Sequence, residues 1–321
     1  MKQWRAAPRA LLDSGRTRRA HHGRMNTASL RSIAMVLLAA MLWGTTGTAQ
    51  SLAPATLSPY WVGALRLGFA SAFFAVLAWP ALRRGAWRGL RGAALPLAAL
   101  CVAAYNLSFF AGVKASGVAL GTALAIGSGP VWAGLLQTVA QRRWPAPAWW
   151  LGTLLGVAGG AAMALDGGAD ARAPLSGIAL CLLAGLSYAG YALLNKRLVA
   201  RAGPAMVNLA VFGGAGLLSL PVALLLGGVP TPSAATWGVV LYLGLAATGL
   251  AYLLFSAALR HISGATGVTL ALAEPVTAFA LAILVVGERP SAMAFWGLGG
   301  VLAGLLLVIW SELRAAPKLG A

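Results

Sequence analysis

The stretch Ala265–Pro290, ATGVTLALAEPVTAFALAILVVGERP, decides how the chain is read. As a helix, residues 265–286 extend roughly 33 Å at about 1.5 Å per residue, enough to cross a hydrocarbon core of about 30 Å. Near the middle stand Glu274 and Pro275. A carboxylate at that depth costs about 2.5–3.5 kcal/mol on insertion scales. A proline there removes one backbone hydrogen bond and frees a carbonyl one turn earlier. A charge-capable group beside a broken backbone predicts a translocation site.

The rest of the chain has the same character. Of 321 residues, 60% are hydrophobic and 9% charged, and the mean hydropathy is +0.81. Soluble domains carry about 25% charged residues. The pattern predicts an all-α polytopic membrane protein with spans at 32–52, 58–81, 93–113, 118–139, 147–165, 175–195, 204–227, 234–259, 265–286 and 291–312. Residues 1–31 read as a basic cytoplasmic tail and 314–321 as a second one. His21–His22 in the first tail lacks a third metal ligand nearby, and Met25 is an alternative start. The six acids (Asp13, Asp166, Asp170, Glu274, Glu288, Glu312) are scattered, which weakens hydrolase and metalloenzyme readings. Cys101 and Cys181 lie inside apolar spans and read as packing residues. No P-loop is present.

The net charge of +18 has a topological explanation rather than a nucleic-acid one. Twenty Lys and Arg fall in the first tail, the loops after even-numbered spans and the C-terminus, against three in the loops after odd-numbered spans. The positive-inside rule therefore predicts cytoplasmic termini and an even number of spans. Most tryptophans sit near span ends, as in an interfacial aromatic belt. Trp43 and Trp132 do not.

The chain also repeats itself at a shift of 145 residues. Pro130 meets Pro275, Pro145 meets Pro290, Gly152 meets Gly297, Gly159 meets Gly304, and Trp43 meets Tyr188. Each half, 32–166 and 167–313, holds five spans. An odd number inverts the second half in the membrane, the arrangement typical of alternating-access transporters. Pro130 and Pro275 are then paired hinge candidates.

Tyr105–Leu136 (YNLSFFAGVKASGVALGTALAIGSGPVWAGLL), Tyr252–Pro290, the Leu42-Trp43-Gly44 of the first span and Arg66 in Ala64-Leu65-Arg66-Leu67 resemble the EamA family of the drug/metabolite transporter (DMT) superfamily. The resemblance implies ten helices in two inverted five-helix repeats. It also implies a central cavity lined mainly by spans 1, 3, 4, 6, 8 and 9. The loop glutamate Glu288 has no counterpart in the first half, where Arg143 stands instead.

The candidate cavity residues are Glu274, Trp43, Tyr105, Asn106, Trp132, Tyr188, Tyr191, Tyr252 and Arg66. Glu274 is weighed as a proton carrier or substrate contact against a structural acid bonded to carbonyls freed by Pro275. Arg66 is weighed as a partner for an anionic group or for Glu274 against an anchor snorkelling toward Trp61, and the anchor is preferred. For the aromatic and amide groups the competing reading is inter-helix hydrogen bonding. Asn195 is set aside as too close to Lys196 and Arg197. Gly152-x-x-x-Gly156 and Gly300-x-x-x-Gly304 predict close helix packing away from the cavity, and are also considered as a homodimer face.

The function these observations predict is secondary transport of small organic metabolites, such as amino acids or drug-like solutes. Export across a bacterial inner membrane is expected, driven by protons or by the solute gradient. No enzymatic activity, cofactor or metal is expected. A lipid-modifying membrane enzyme and a non-transporting sensor are the alternatives.

Overall fold

A computed structural model describes residues 27–52, 57–142, 144–165, 174–231, 233–287 and 289–315. Among the described residues, ten apolar helices are long enough to cross a membrane. They are α1 (Thr27–Gln50), α2 (Pro59–Arg83), α3 (Ala94–Ser116), α4 (Leu120–Gln141), α5 (Pro147–Leu165), α6 (Leu175–Ala202), α7 (Pro204–Leu226), α8 (Ala234–Ala258), α9 (Gly264–Val285) and α10 (Ala292–Arg314). Two boundaries move substantially from the sequence reading. Residues 27–31, placed in the tail, are the first turns of α1, because Ser29 and Ser32 are packed inside the bundle. Helix α6 continues to Ala202, because Lys196 turns inward rather than into water. Arg314 and Ala315, placed in the second tail, remain helical. His21, His22, Met25, Asp13, Arg143, Asp166, Asp170 and Glu288 lie outside the described residues.

Local chemistry sets the helix ends. Ser58, Ser233 and Ser263 cap α2, α8 and α9, their hydroxyls accepting from the N–H of Trp61, Thr236 and Thr266. A single residue, Gly203 at φ 77°, joins α6 to α7, and Pro204 opens the next helix. Only glycine adopts that backbone region cheaply.

The packing obeys a pseudo-two-fold that exchanges α1 with α6, α2 with α7, α3 with α8, α4 with α9 and α5 with α10. Helices α2 and α7 pack on each other, as do α5 and α10, so each pair maps onto itself. The α3–α6 contact maps onto α8–α1, α4–α6 onto α9–α1, and α3–α7 onto α8–α2. The fold is therefore two inverted five-helix repeats. At the α5–α10 seam the backbones touch: a methyl group on Gly159 would stand 2.5 Å from the Gly297 carbonyl oxygen, and one on Gly304 2.5 Å from that of Gly152. The glycine ridges considered as a dimer face are thus spent on this seam inside the chain. Large apolar side chains such as Val76, Leu225 and Leu306 cover the outer surface. Arg83 stacks on Trp79 and Arg314 on Trp310, at 4.9 Å and 3.9 Å, as expected of interfacial anchors.

The break in the helices is not symmetric. Helix α9 is interrupted at Ala271–Leu272, dividing Gly264–Leu270 from Ala273–Leu281. The carbonyl that Pro275 cannot engage, that of Ala271, takes the Glu274 N–H at 2.9 Å instead. Helix α4, by contrast, runs uninterrupted through Pro130. A proline alone does not break a helix here, since Glu274 is itself helical and α2 and α7 likewise run on through Pro80 and Pro221. The expectation of paired broken helices holds for the second repeat only. Two π turns, Leu243–Leu250 in α8 and Ala282–Val286 closing α9, had no sequence signal.

Candidate functional site

The break in α9 places Glu274 in the first turn of its second half-helix, where the helix dipole favours a carboxylate. Gly44 of α1 makes this arrangement fit. A methyl group there would stand 2.6 Å from the Glu274 carbonyl oxygen, so a larger residue would push α1 off the half-helix.

Glu274 borders two cavities. The inner one, about 110 Å³, is walled by Trp43 and Thr46 from α1, Arg66 from α2, Tyr105 and Phe109 from α3 and Tyr188 from α6. Ala125 and Ile126 from α4, Tyr252 from α8 and Val268, Ala271 and Glu274 from α9 complete it, with Ala247 contributed by the π turn. The outer cavity, about 710 Å³, lies between α4, α5, α9 and α10 and reaches Arg289 and Pro290 in the α9–α10 turn. Its wall is mostly apolar, with Val157, Met163, Leu272 and Phe279. Ile126 and Glu274 line both.

An aromatic cluster frames the inner cavity. Trp43 lies 5.0 Å from Tyr252 and 6.3 Å from Tyr188 between ring centroids, and Tyr105 lies 5.7 Å from Tyr188. The pair related by the repeat, Trp43 and Tyr188, meets edge to face at the pseudo-two-fold. Three donors on these walls are buried without a hydrogen-bond partner: Trp43 Nε1, Arg66 Nε and the Tyr188 hydroxyl. An unpaired buried donor costs about 1–3 kcal/mol.

The other end of the bundle is sealed by polar bonds. Asn195 Nδ2 donates to the Tyr191 hydroxyl at 3.0 Å and to Ser256 Oγ at 2.8 Å. Ser256 donates to Asn208 Oδ1 at 2.7 Å, and Asn208 Nδ2 donates to the Tyr252 carbonyl at 3.0 Å. This chain ties α6, α7 and α8 together. The α8–α9 turn is held from α6, α10 and α4. Lys196 donates to the carbonyls of Leu259 and Ile262, and Glu312 accepts from the Ser263 N–H at 3.0 Å and the Thr266 hydroxyl at 2.5 Å. Gln137 accepts from the Ala265 N–H at 3.2 Å.

Of the candidates from sequence, Glu274, Trp43, Tyr105, Tyr188, Tyr252 and Arg66 line the inner cavity, and Pro275 lines the outer one. Arg66 is on the cavity wall rather than at the interface, contrary to the anchor preferred for it. Asn106, Trp132, Tyr191 and Pro130 line neither cavity. Asn106 is buried against Gly63 of α2, Trp132 packs on the core, and Tyr191 belongs to the sealing network. Asn195, set aside as near-surface, is fully buried at the centre of that network. Lys196, Glu312, Gln137, Asn208 and Ser256 were missed. The spacing Ser263-x-x-Thr266, a helix start inside an apolar run that requires polar partners, could have pointed to Glu312.

The EamA-like transporter family matches the chain twice, over residues 30–165 and 175–310. The two matches start and end 145 residues apart, the same shift as the internal repeat. The chain belongs to the EamA-like transporter family. It is 36% identical over 289 residues, covering 88% of this chain and 93% of the relative, to a Bacillus subtilis (strain 168) protein named an uncharacterized transporter, YwfM. A solved crystal structure at 20% identity superposes with a TM-score of 0.77, covering 92% of this chain and all of that one, and shares the fold. The protein is thus a multi-pass membrane transporter of the DMT type.

Proposed function

We propose that this EamA-family protein exports small organic metabolites, such as amino acids or drug-like solutes, across a bacterial inner membrane by proton-coupled alternating access. The observation that carries the proposal is the position of Glu274, an acid in the middle of a membrane span, on the wall shared by both cavities. An intramembrane carboxylate on a solute pathway is suited to exchange a proton for a substrate group. Asymmetry between the two ends supports alternating access. The α8–α9 end is closed by the Asn195, Lys196 and Glu312 bonds, while the larger cavity extends to the α9–α10 turn. By the distribution of Lys and Arg, the closed end faces the cytoplasm and so do both termini. The arrangement then corresponds to a state open toward the outside.

Two acids, Glu274 and Glu312, occur among the described residues, and they sit in separate sites. The test is counterflow in proteoliposomes loaded with a bacterial metabolite extract, read by mass spectrometry. Unchanged solutes should exchange across the bilayer. Chemical conversion of a solute or lipid, without exchange, would overturn the reading.

A further inference from the structure

The turn between α2 and α3 holds the densest run of charge among the described residues. Arg83, Arg84, Arg88 and Arg91 fall within it, and all four are exposed. The backbone beneath them is pinned. Residues Ala86–Leu90 form a single 3-10 turn, in which the Arg88 N–H donates to the Gly85 carbonyl at 3.0 Å. Leu90 is buried in the core. A methyl group on Gly89 would stand 3.1 Å from the Arg201 carbonyl oxygen, so the turn lies against the end of α6. The arginines gather round exposed tryptophans. The Arg83 guanidinium lies 4.9 Å from the Trp79 ring centroid, and those of Arg88 and Arg91 lie 5.6 Å and 6.0 Å from that of Trp87. Among the described residues none of the four arginine side chains makes a hydrogen bond or an ion pair. The two acids described, Glu274 and Glu312, stand elsewhere, in the cavity wall and at the α8–α9 turn.

We propose that this turn is a docking site for the phosphate groups of anionic phospholipids, in the leaflet at the closed end of the bundle. Charge is the first argument. Four cations without a counter-charge from the protein draw anions from outside it, and an anionic leaflet supplies them at about fivefold per basic residue. Depth is the second. Exposed indoles such as Trp79 and Trp87 settle at the boundary between headgroups and acyl chains, which puts the guanidiniums beside them at the level of the phosphates. Geometry is the third. The guanidinium fork matches two oxygens of a phosphate, and a ring face holds the fork in position before the lipid arrives. A single interfacial anchor looks different: Arg314 stands alone on Trp310. Here two arginines share Trp87, and two more close the preceding helix, all on a backbone fixed by Leu90 and Gly89. A site with little left to order binds more tightly for the same contacts.

The experiment titrates the purified full-length protein with phosphatidylglycerol or with phosphatidylcholine of the same acyl chains, and counts bound lipid by native mass spectrometry. Phosphatidylglycerol should bind about tenfold or more tighter. Arg88→Gln combined with Arg91→Gln should cut that preference by about fivefold or more, and Arg83→Gln combined with Arg84→Gln should lower it as well. All four positions are exposed, so the variants should fold. Arg260→Gln, at an exposed arginine of the α8–α9 turn on the same end, should leave the preference within about twofold. Equal affinity for the two lipids overturns the proposal. An equal loss in the Arg260 variant also overturns it, because the attraction then belongs to the whole charged face. Displacement of the lipid by millimolar glycerol phosphate overturns it too, because the turn would then be a site for a free anion.

Discussion

Glu312, near the end of α10, accepts the backbone N–H of Ser263 at 3.0 Å and the hydroxyl of Thr266 at 2.5 Å. One carboxylate thereby pins the start of the broken helix α9 to the last helix of the chain. Removing it orphans a helix-start N–H at a site already dependent on the Ser263 cap. Glu312→Ala should lower stability by about 1–3 kcal/mol, and Glu312→Gln, which keeps one acceptor, by less. Thermal unfolding of the detergent-solubilised protein checks the order wild type, Gln, Ala. Equal midpoints for wild type and Ala would show that the clamp contributes nothing.

The α5–α10 seam makes a prediction with an internal control. Gly159→Val places a branched side chain where a methyl group alone would lie 2.5 Å from the Gly297 carbonyl. Overpacking of this kind costs about 1–3 kcal/mol or more. Gly160→Ala, one residue away, meets nothing within 4 Å and should be neutral. Size-exclusion profiles after heating should show loss of folded protein for the first variant and not the second.

The two hinge prolines should behave differently. Pro275→Ala restores an N–H that can compete for the Ala271 carbonyl, now taken by Glu274, and should favour a straighter α9. Flux should fall several-fold. Pro130→Ala lies in a helix that is already continuous, and should leave flux within about twofold of wild type. Equal losses at both positions would mean that the repeat moves as a symmetric pair after all.

The sealing network offers a stability test at Asn195 and Ser256, neither of which lines a cavity. Asn195→Leu removes the donor to Tyr191 and Ser256. Buried side-chain bonds in bundles are worth about 0.6 kcal/mol on average and up to about 2. Combined with Ser256→Ala, the loss should be less than additive, because both residues serve one chain to Asn208. A double-mutant cycle read by thermal unfolding checks this.

Much of this was legible in the sequence, and the part that was not has physical causes. Ten spans follow from length and hydropathy. The inverted repeat follows from two prolines and two glycines at one offset, and the glycines proved to form the α5–α10 seam. What periodicity does not carry is helix rotation. A tyrosine in an apolar span can face a cavity or a partner helix, and Tyr188 and Tyr191, three residues apart, do one each. Lys196, with Arg197, marks Asn195 as near-surface in the sequence. It turns inward because the α8–α9 turn presents two carbonyls without helical partners. The asymmetry of the break is not carried by the prolines, since α2, α4 and α7 run on through Pro80, Pro130 and Pro221 while α9 breaks at Ala271–Leu272.

The central claim is that Glu274 couples proton movement to solute movement. Its most direct test is flux in proteoliposomes under an imposed proton gradient, with wild type and Glu274→Gln reconstituted to equal density. The account predicts that wild-type flux rises when the gradient is directed to drive protons inward as solute leaves, while Glu274→Gln inserts normally and carries a flux indifferent to the gradient. A Glu274→Gln variant with wild-type dependence on the gradient would contradict it.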